Sequence, residues 1–249
     1  MGYNWEGDLI LQDSAVERKR YVIGRRQPIT TDIREWISFE DNVVMKEILG
    51  ELKDEHGLPT SKKPGDFDRR AMVVWRFIAE QIRYVYDTTK YKKADFWLFP
   101  PETCQIRMGD CEDGSFLTAS LLIAGGVSPF CVRVVLGRAF DESGKCLGGH
   151  CWPVYKNESG RWCILESTID SVPSFMPDAD ELTREGRPFR YEPLYCFNSH
   201  HLWEIFPGDN KPIKGTLNRY YKVRRKKVDM SKIRQPDFIA QRRKGAKKV

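Results

Sequence analysis

Gly109-Asp110-Cys111-Glu112-Asp113-Gly114-Ser115-Phe116-Leu117-Thr118-Ala119-Ser120-Leu121-Leu122-Ile123-Ala124-Gly125-Gly126 reads as a helix with a cysteine in its first turn. Asp110 is a good N-cap, and Asp113 is a shorter version of the capping-box partner three residues on. Phe116, Leu117, Ser120, Leu121 and Ala124 fall on one stripe, and Gly125-Gly126 stops the helix. The Cys111 sulfur then lies where free backbone N–H groups and the positive end of the helix dipole favour a thiolate. Asp110, Glu112 and Asp113 work against that charge, so a reactive Cys111 needs a cation from elsewhere in the chain.

Beyond Gly126 the apolar period changes from helical to alternating. Phe130–Gly137, His150–Tyr155 and Arg161–Thr168 read as strands separated by the turns 141–144 and 157–160. The last two form a hairpin. His150, Trp152 and Val154 share one face, as do Trp162, Ile164 and Glu166. A three-residue loop with Gly160 left-handed pairs Asn157 with Arg161 and puts Glu166 opposite Trp152, diagonal to His150; a five-residue loop would put it directly opposite His150. Pro153 lacks an N–H and must occupy a non-bonded ladder position or a bulge. Residues 190–203 offer one or two further strands.

Toward the N-terminus, Asp66 or Asp68 caps a helix expected to run to about Tyr86, and 41–56 is another helix stopped by Gly57. Pro100-Pro101 argues against a regular helix around 91–101. Leu9–Leu11 and Tyr21–Ile23 are candidate short strands. The loop at 58–65 is the best boundary in the first half, giving an N-terminal extension over 1–65, a core over 66–207 and a tail over 208–249.

A nucleophile at a helix start, a histidine on a strand and an acid on the next strand have complementary roles. Cys111 attacks, His150 takes its proton and supplies the missing cation, and Glu166 fixes the ring tautomer. Gly109-Asp110-Cys111, His150-Cys151-Trp152 and Glu166-Ser167-Thr168 together resemble the transglutaminase-like superfamily of papain-like thiol enzymes. Tyr84-Val85-Tyr86-Asp87 and Trp97 followed by Pro100 are similar to the segment that leads into the cysteine in microbial members. The resemblance spans about residues 67–207. It implies an α+β fold with the nucleophile-bearing helix packed on an antiparallel sheet. It also implies a cysteine hydrolase or acyltransferase that needs no cofactor and no metal. The family's acid is usually Asp; Glu166 is one methylene longer, and Asp170 is the alternative third member. By analogy the Cys111 backbone N–H is one oxyanion donor. For the second, Gln105 and Trp97 stand beside a backbone donor. Trp152 and Asp110 are candidates for the substrate groove, although Trp152 fits a core as well.

The expected chemistry is thiol-dependent acyl transfer on an amide of a protein or peptide: hydrolysis, deamidation or cross-linking. The alternatives are a binding or assembly protein that keeps the fold without turnover, and a nucleic-acid-associated protein. The second rests on the tail. Residues 219–249 hold 13 Lys and Arg against 2 Asp and Glu, a local +11, while the other 218 residues carry 28 against 33, a net of −5. Such a tail suits a polyanion or an acidic partner. Seven irregularly spaced cysteines, no signal-peptide pattern and no apolar run of ~18 residues point to reduced thiols, no membrane and a cytoplasmic setting. A zinc site from Cys146, His150 and Cys151 lacks a second ligand pair at finger-like spacing.

Overall fold

Around the cysteine helix the chain lays two helices and a twisted antiparallel sheet. The computed structural model describes residues 9–10, 18–21, 28–39, 41–91, 96–183 and 189–205. The basic tail lies outside the described residues. In chain order the elements are β1 (Leu9–Ile10), β2 (Arg18–Tyr21), β3 (Pro28–Thr31), α1 (Val43–Asp54), α2 (Asp66–Gln81), β4 (Arg83–Tyr84), α3 (Asp87–Lys90) and α4 (Pro100–Ile106). Then follow β5 (Met108–Gly109), α5 (Cys111–Ala124), β6 (Val132–Asp141), β7 (Cys146–Lys156), β8 (Trp162–Ile164), α6 (Ala179–Leu182), β9 (Phe189–Phe197) and β10 (Leu202–Glu204). The main sheet runs β1-β10-β9-β6-β7-β8, every pair antiparallel. This is the expected α+β arrangement, with α5 packed on the sheet.

Alternation along β6 divides the apolar core. Val132, Val134 and Leu136 join the cluster that contains α5, α2 and α1, whereas Val135 faces a second cluster with Trp152, Val154, Ile164 and Trp203. Ile33, Trp36, Ile37 and the α1 residues Met45, Leu49 and Leu52 belong to the first cluster, so residues 33–58 share the core of the rest. α5 differs from the single stripe read in the sequence. It is buried from Cys111 to Ile123 on every side, as a helix at the centre of a core is. Its hydroxyls turn back on their own backbone: Thr118 donates to the Gly114 carbonyl at 2.7 Å and Ser115 to the Cys111 carbonyl at 2.6 Å. Gly114 lies at a close approach: a Cβ there would sit 3.0 Å from the Ser167 Cβ, tighter than side chains usually pack.

Two helix boundaries depart from the sequence reading. α2 is capped by Gly65, not by Asp66 or Asp68, and it stops at Gln81. Asp66 instead accepts from Ser61 and Lys63, and Asp68 accepts from the Tyr155 hydroxyl at 2.9 Å, tying the helix start to its loop and to β7. Residues 83–84 leave the helix because they pair in parallel with Met108–Gly109. Pro100-Pro101 does not prevent a helix but begins α4; in the first turn the missing N–H has no intrahelical carbonyl to bond. Leu9–Ile10 is a strand as expected and Tyr21 closes a strand that starts at Arg18, while Leu11 and Val22–Ile23 lie outside the described residues.

The hairpin of β7 and β8 has the three-residue loop. Asn157 N–H donates to the Arg161 carbonyl at 2.9 Å and Gly160 sits at φ +83°. Val154 faces Ile164, and Leu165 N–H donates to the Pro153 carbonyl at 3.0 Å. Pro153 has no N–H to return, and β8 ends there, at Ile164 rather than Thr168. The chain thereby leaves the ladder one residue before Glu166.

Candidate active site

Freed from the ladder, Glu166 bends toward β7. Its Oε2 lies 2.8 Å from His150 Nε2 and accepts from the Tyr191 hydroxyl at 2.7 Å. Its Oε1 accepts from the Thr168 hydroxyl at 2.7 Å and from Thr168 N–H at 2.9 Å. Its backbone carbonyl accepts from the Trp75 indole of α2 at 2.8 Å. Burial acts to raise the Glu166 carboxyl, but the His150 ring and the bonds from His150, Tyr191 and Thr168 outweigh it and hold the group at about 2. The carboxylate is therefore charged at neutral pH. The His150 ring stacks against both Trp152 and Tyr191, 5.6 and 5.8 Å from their centroids and inclined 26° to each, and those two rings meet one another at 5.0 Å. The carboxylate and the stack fix the ring orientation; with Nε2 committed to Glu166, Nδ1 is the nitrogen left for chemistry.

Cys111 opens α5 and is almost closed off, 6% exposed. It lines a narrow cleft with Tyr84, Ala139, Leu147, Gly148, Gly149 and His150. Ser115, one turn along α5, bridges the Cys111 carbonyl and the Cys151 carbonyl (3.1 Å), clamping the helix start to β7 next to His150. The thiol itself points at an acid: Cys111 Sγ donates to Glu112 Oε2 at 3.1 Å. Burial, then the charges of Glu112 and Asp110, push the thiol well above its ordinary range. As expected, the neighbouring acids work against the thiolate that the helix N-terminus favours, and burial is the larger opposing cause, so the surroundings favour the protonated thiol. All seven cysteines are free.

The other candidates separate cleanly. Asp170 is exposed, while Glu166 occupies the place beside His150, as the three-residue loop requires. Gln105 is exposed on α4, outside the residues that line the cleft. Trp97 is buried in the core against Trp36 and Phe116, with centroids at 5.4 and 5.0 Å, and it too is absent from the cleft lining. Trp152 is fully buried beneath His150, so it supports the ring and is not a groove surface. Asp110 is the N-cap of α5, and its own N–H donates to Asp113 Oδ2 at 3.2 Å. Asp113 also accepts from Leu98 N–H at 2.7 Å, and Asp87 from Phe96 N–H, so these acids pin the 96–98 segment to the helix start.

The sequence shows no convincing acidic cluster for a metal, but the fold brings acids together. Among the described residues, Asp87, Asp110 and Asp113 each offer an oxygen within 4.8 Å of the others, and Asp110, Cys111 and Glu112 place two oxygens and a sulfur equally close. Hard oxygens suit calcium or magnesium, but three fall short of the roughly six to eight ligands that calcium takes. Burial holds Asp110 and Asp113 well above the usual carboxylate range, with Glu112 adding to both shifts.

The residues missed in the sequence are those brought from a distance: Trp75, Tyr84 and Tyr191. Thr168 carried a signal, two places after Glu166; for Tyr191, on β9, no local pattern existed.

The family model of the transglutaminase-like superfamily matches residues 58–167. No curated protein matches the chain in sequence. Among solved structures, calcium-bound LapG from Legionella pneumophila is 24% identical with a TM-score of 0.46, covering 72% of this chain and 88% of LapG. A second LapG structure gives 22%, 0.46, 77% and 93%, and the EGTA-treated protein 22%, 0.47, 77% and 94%. The similarity to the transglutaminase-like superfamily thus rests on residues 58–167, the stretch that holds Cys111, His150 and Glu166.

Proposed function

We propose that the protein is a thiol enzyme that transfers an acyl group from an amide through Cys111, His150 and Glu166. One observation carries this reading: the buried 2.8 Å contact between His150 Nε2 and Glu166 Oε2, on a ring that lines the same cleft as Cys111. The acid alone would stabilise a structural histidine as well; the place of the same ring in the wall of a cysteine-lined cleft is what marks it for chemistry. With Nε2–H donated to Glu166, Nδ1 is the basic nitrogen. It takes the Cys111 proton as sulfur bonds to the carbonyl carbon and the π electrons move to oxygen. Collapse expels the amine, which receives the proton from His150, and leaves a thioester at Cys111. Water or a second amine then attacks the thioester. Because the resting thiol is protonated, deprotonation accompanies attack instead of preceding it. The narrow cleft, walled by Gly148 and Gly149, suits the main chain of a peptide or protein substrate.

The test is acylation by p-nitrophenyl acetate followed by peptide mass spectrometry. The acetyl group should appear on Cys111 in the wild type, nowhere in Cys111→Ala, and at least ~10²-fold more slowly in His150→Ala. Acetylation spread evenly over the other cysteines would sink the proposal.

A further inference from the structure

Acyl transfer needs a donor for the oxygen on which charge develops, and neither Gln105 nor Trp97 lines the cleft. Among the described residues, one donor-bearing side chain does besides Cys111 and His150 themselves. Tyr84 sits on β4, whose parallel pairing with β5 places it level with Gly109, two residues before Cys111. Val85 N–H donates to the Gly109 carbonyl at 2.9 Å, so this register is bonded on the side where the chain enters α5. The same residue lines the cleft with Cys111 and His150, and its ring is braced edge-on by Tyr86 at 5.5 Å. We infer that Tyr84 is a catalytic residue whose hydroxyl donates to the substrate carbonyl oxygen as it becomes an oxyanion, alongside the Cys111 backbone N–H. The inference rests on the acyl-transfer reading above.

The chemistry of the cleft fits that role. Burial, and then the neighbouring Cys111, Asp110 and Glu112, drive the Tyr84 phenol far above its ordinary range, so it stays a donor at every working pH. Those acids make the cleft hostile to a free anion. A fixed O–H is then a better partner for a transient oxyanion than a mobile cation, which the acids would capture. In the step itself the C–S bond forms and the carbonyl π pair moves to oxygen. The Tyr84 proton is shared with that oxygen and returns when the amine leaves. Tyr84 loses and gains nothing over a cycle.

Two reactions of the same sulfur distinguish this role from a structural one. Acylation passes through an oxyanion; alkylation by iodoacetamide is a displacement at carbon and does not. In Tyr84→Phe, acetylation of Cys111 by p-nitrophenyl acetate should fall by ~10²–10³-fold, while alkylation of Cys111 in the same preparation stays within about twofold. Equal acetylation rates in variant and wild type would remove Tyr84 from the reaction and leave the thiol-enzyme reading standing. A parallel loss of both reactions would also overturn the inference, because Tyr84 would then act on the thiol or on the fold. A wild type that is never acetylated at Cys111 would overturn the parent reading, and this inference with it.

Discussion

Replacing Glu112 with Gln should make the Cys111 thiol more reactive, although it removes an acidic residue from the candidate site. Glu112 Oε2 is 3.1 Å from Cys111 Sγ, and the side chain is buried. Two unit charges at that distance in an effective dielectric near 20 repel by about 5 kcal/mol. The carboxylate spreads its charge over two oxygens and some solvent reaches the pair, so about 2 kcal/mol is a working lower figure. That exceeds the 1.36 kcal/mol of one pKa unit. Glu112→Gln keeps the length and an acceptor for the thiol while removing the charge. The midpoint of the pH–rate profile for Cys111 alkylation should therefore move down by at least about one unit. At pH 7 the rate should rise about tenfold. The assay is iodoacetamide labelling across pH 6 to 10, with Cys111 quantified by peptide mass spectrometry against the other six thiols. An unchanged or raised midpoint would refute the argument that Glu112 holds the thiol protonated.

Two further outcomes follow from Glu166 and Gly137. The Glu166 carboxyl is depressed from 4.5 to about 2 in the folded chain, so its contribution to stability is present above pH ~4.5 and lost as pH falls toward 2. That contribution is on the order of 3 kcal/mol; urea midpoints measured from pH 5.5 to 2.5 should fall more steeply in the wild type than in Glu166→Gln, and parallel curves would contradict it. Gly137 faces His150 across β6 and β7, and a Cβ there would run into the Glu192 carbonyl and the Trp152 ring that supports His150. Gly137→Ala should cost about 1–3 kcal/mol and several degrees of melting temperature, and should slow Cys111 acetylation without touching any reacting atom; an unperturbed melt and rate would show that the sheet absorbs the methyl.

What could be read from the sequence was what lies close along the chain. The Asp110 cap, the loop closed by Gly160 and the place of Glu166 against His150 all depend on neighbours within some sixteen residues. Period and turn chemistry report such neighbours. What could not be read came from packing. Trp97 offers the same indole donor whether it faces a cleft or, as here, Trp36 and Phe116. The acids at 110, 112 and 113 were visible, but their burial was not, and burial is the first cause of the raised Cys111 thiol. Tyr191 reaches Glu166 only because β6 pairs with β7 on one side and β9 on the other, an order that no local pattern encodes. Pro100-Pro101 misled for a different reason: a proline that breaks a helix interior is well placed in a first turn.

The spread of the site along the chain also sets an order in time. Cys111 is synthesised first, His150 and Glu166 later, and Tyr191 last. His150 and Glu166 are 16 residues apart, whereas the Trp75–Glu166 bond that anchors the same residue to α2 closes a span of 91. Closing the longer loop costs about 1.5 kcal/mol more in chain entropy. The acid–base pair can therefore assemble inside its own hairpin before the helical layer docks on it. In the proposed mechanism, a ribosome-bound chain carries its thiol for some forty residues before His150, the proposed base, is added. The Glu166 carboxylate gains its bond from Tyr191 only when β9 has emerged. Chemistry is in this sense the last property the molecule acquires, and a chain interrupted anywhere before Tyr191 is left with a cysteine but without its full machinery.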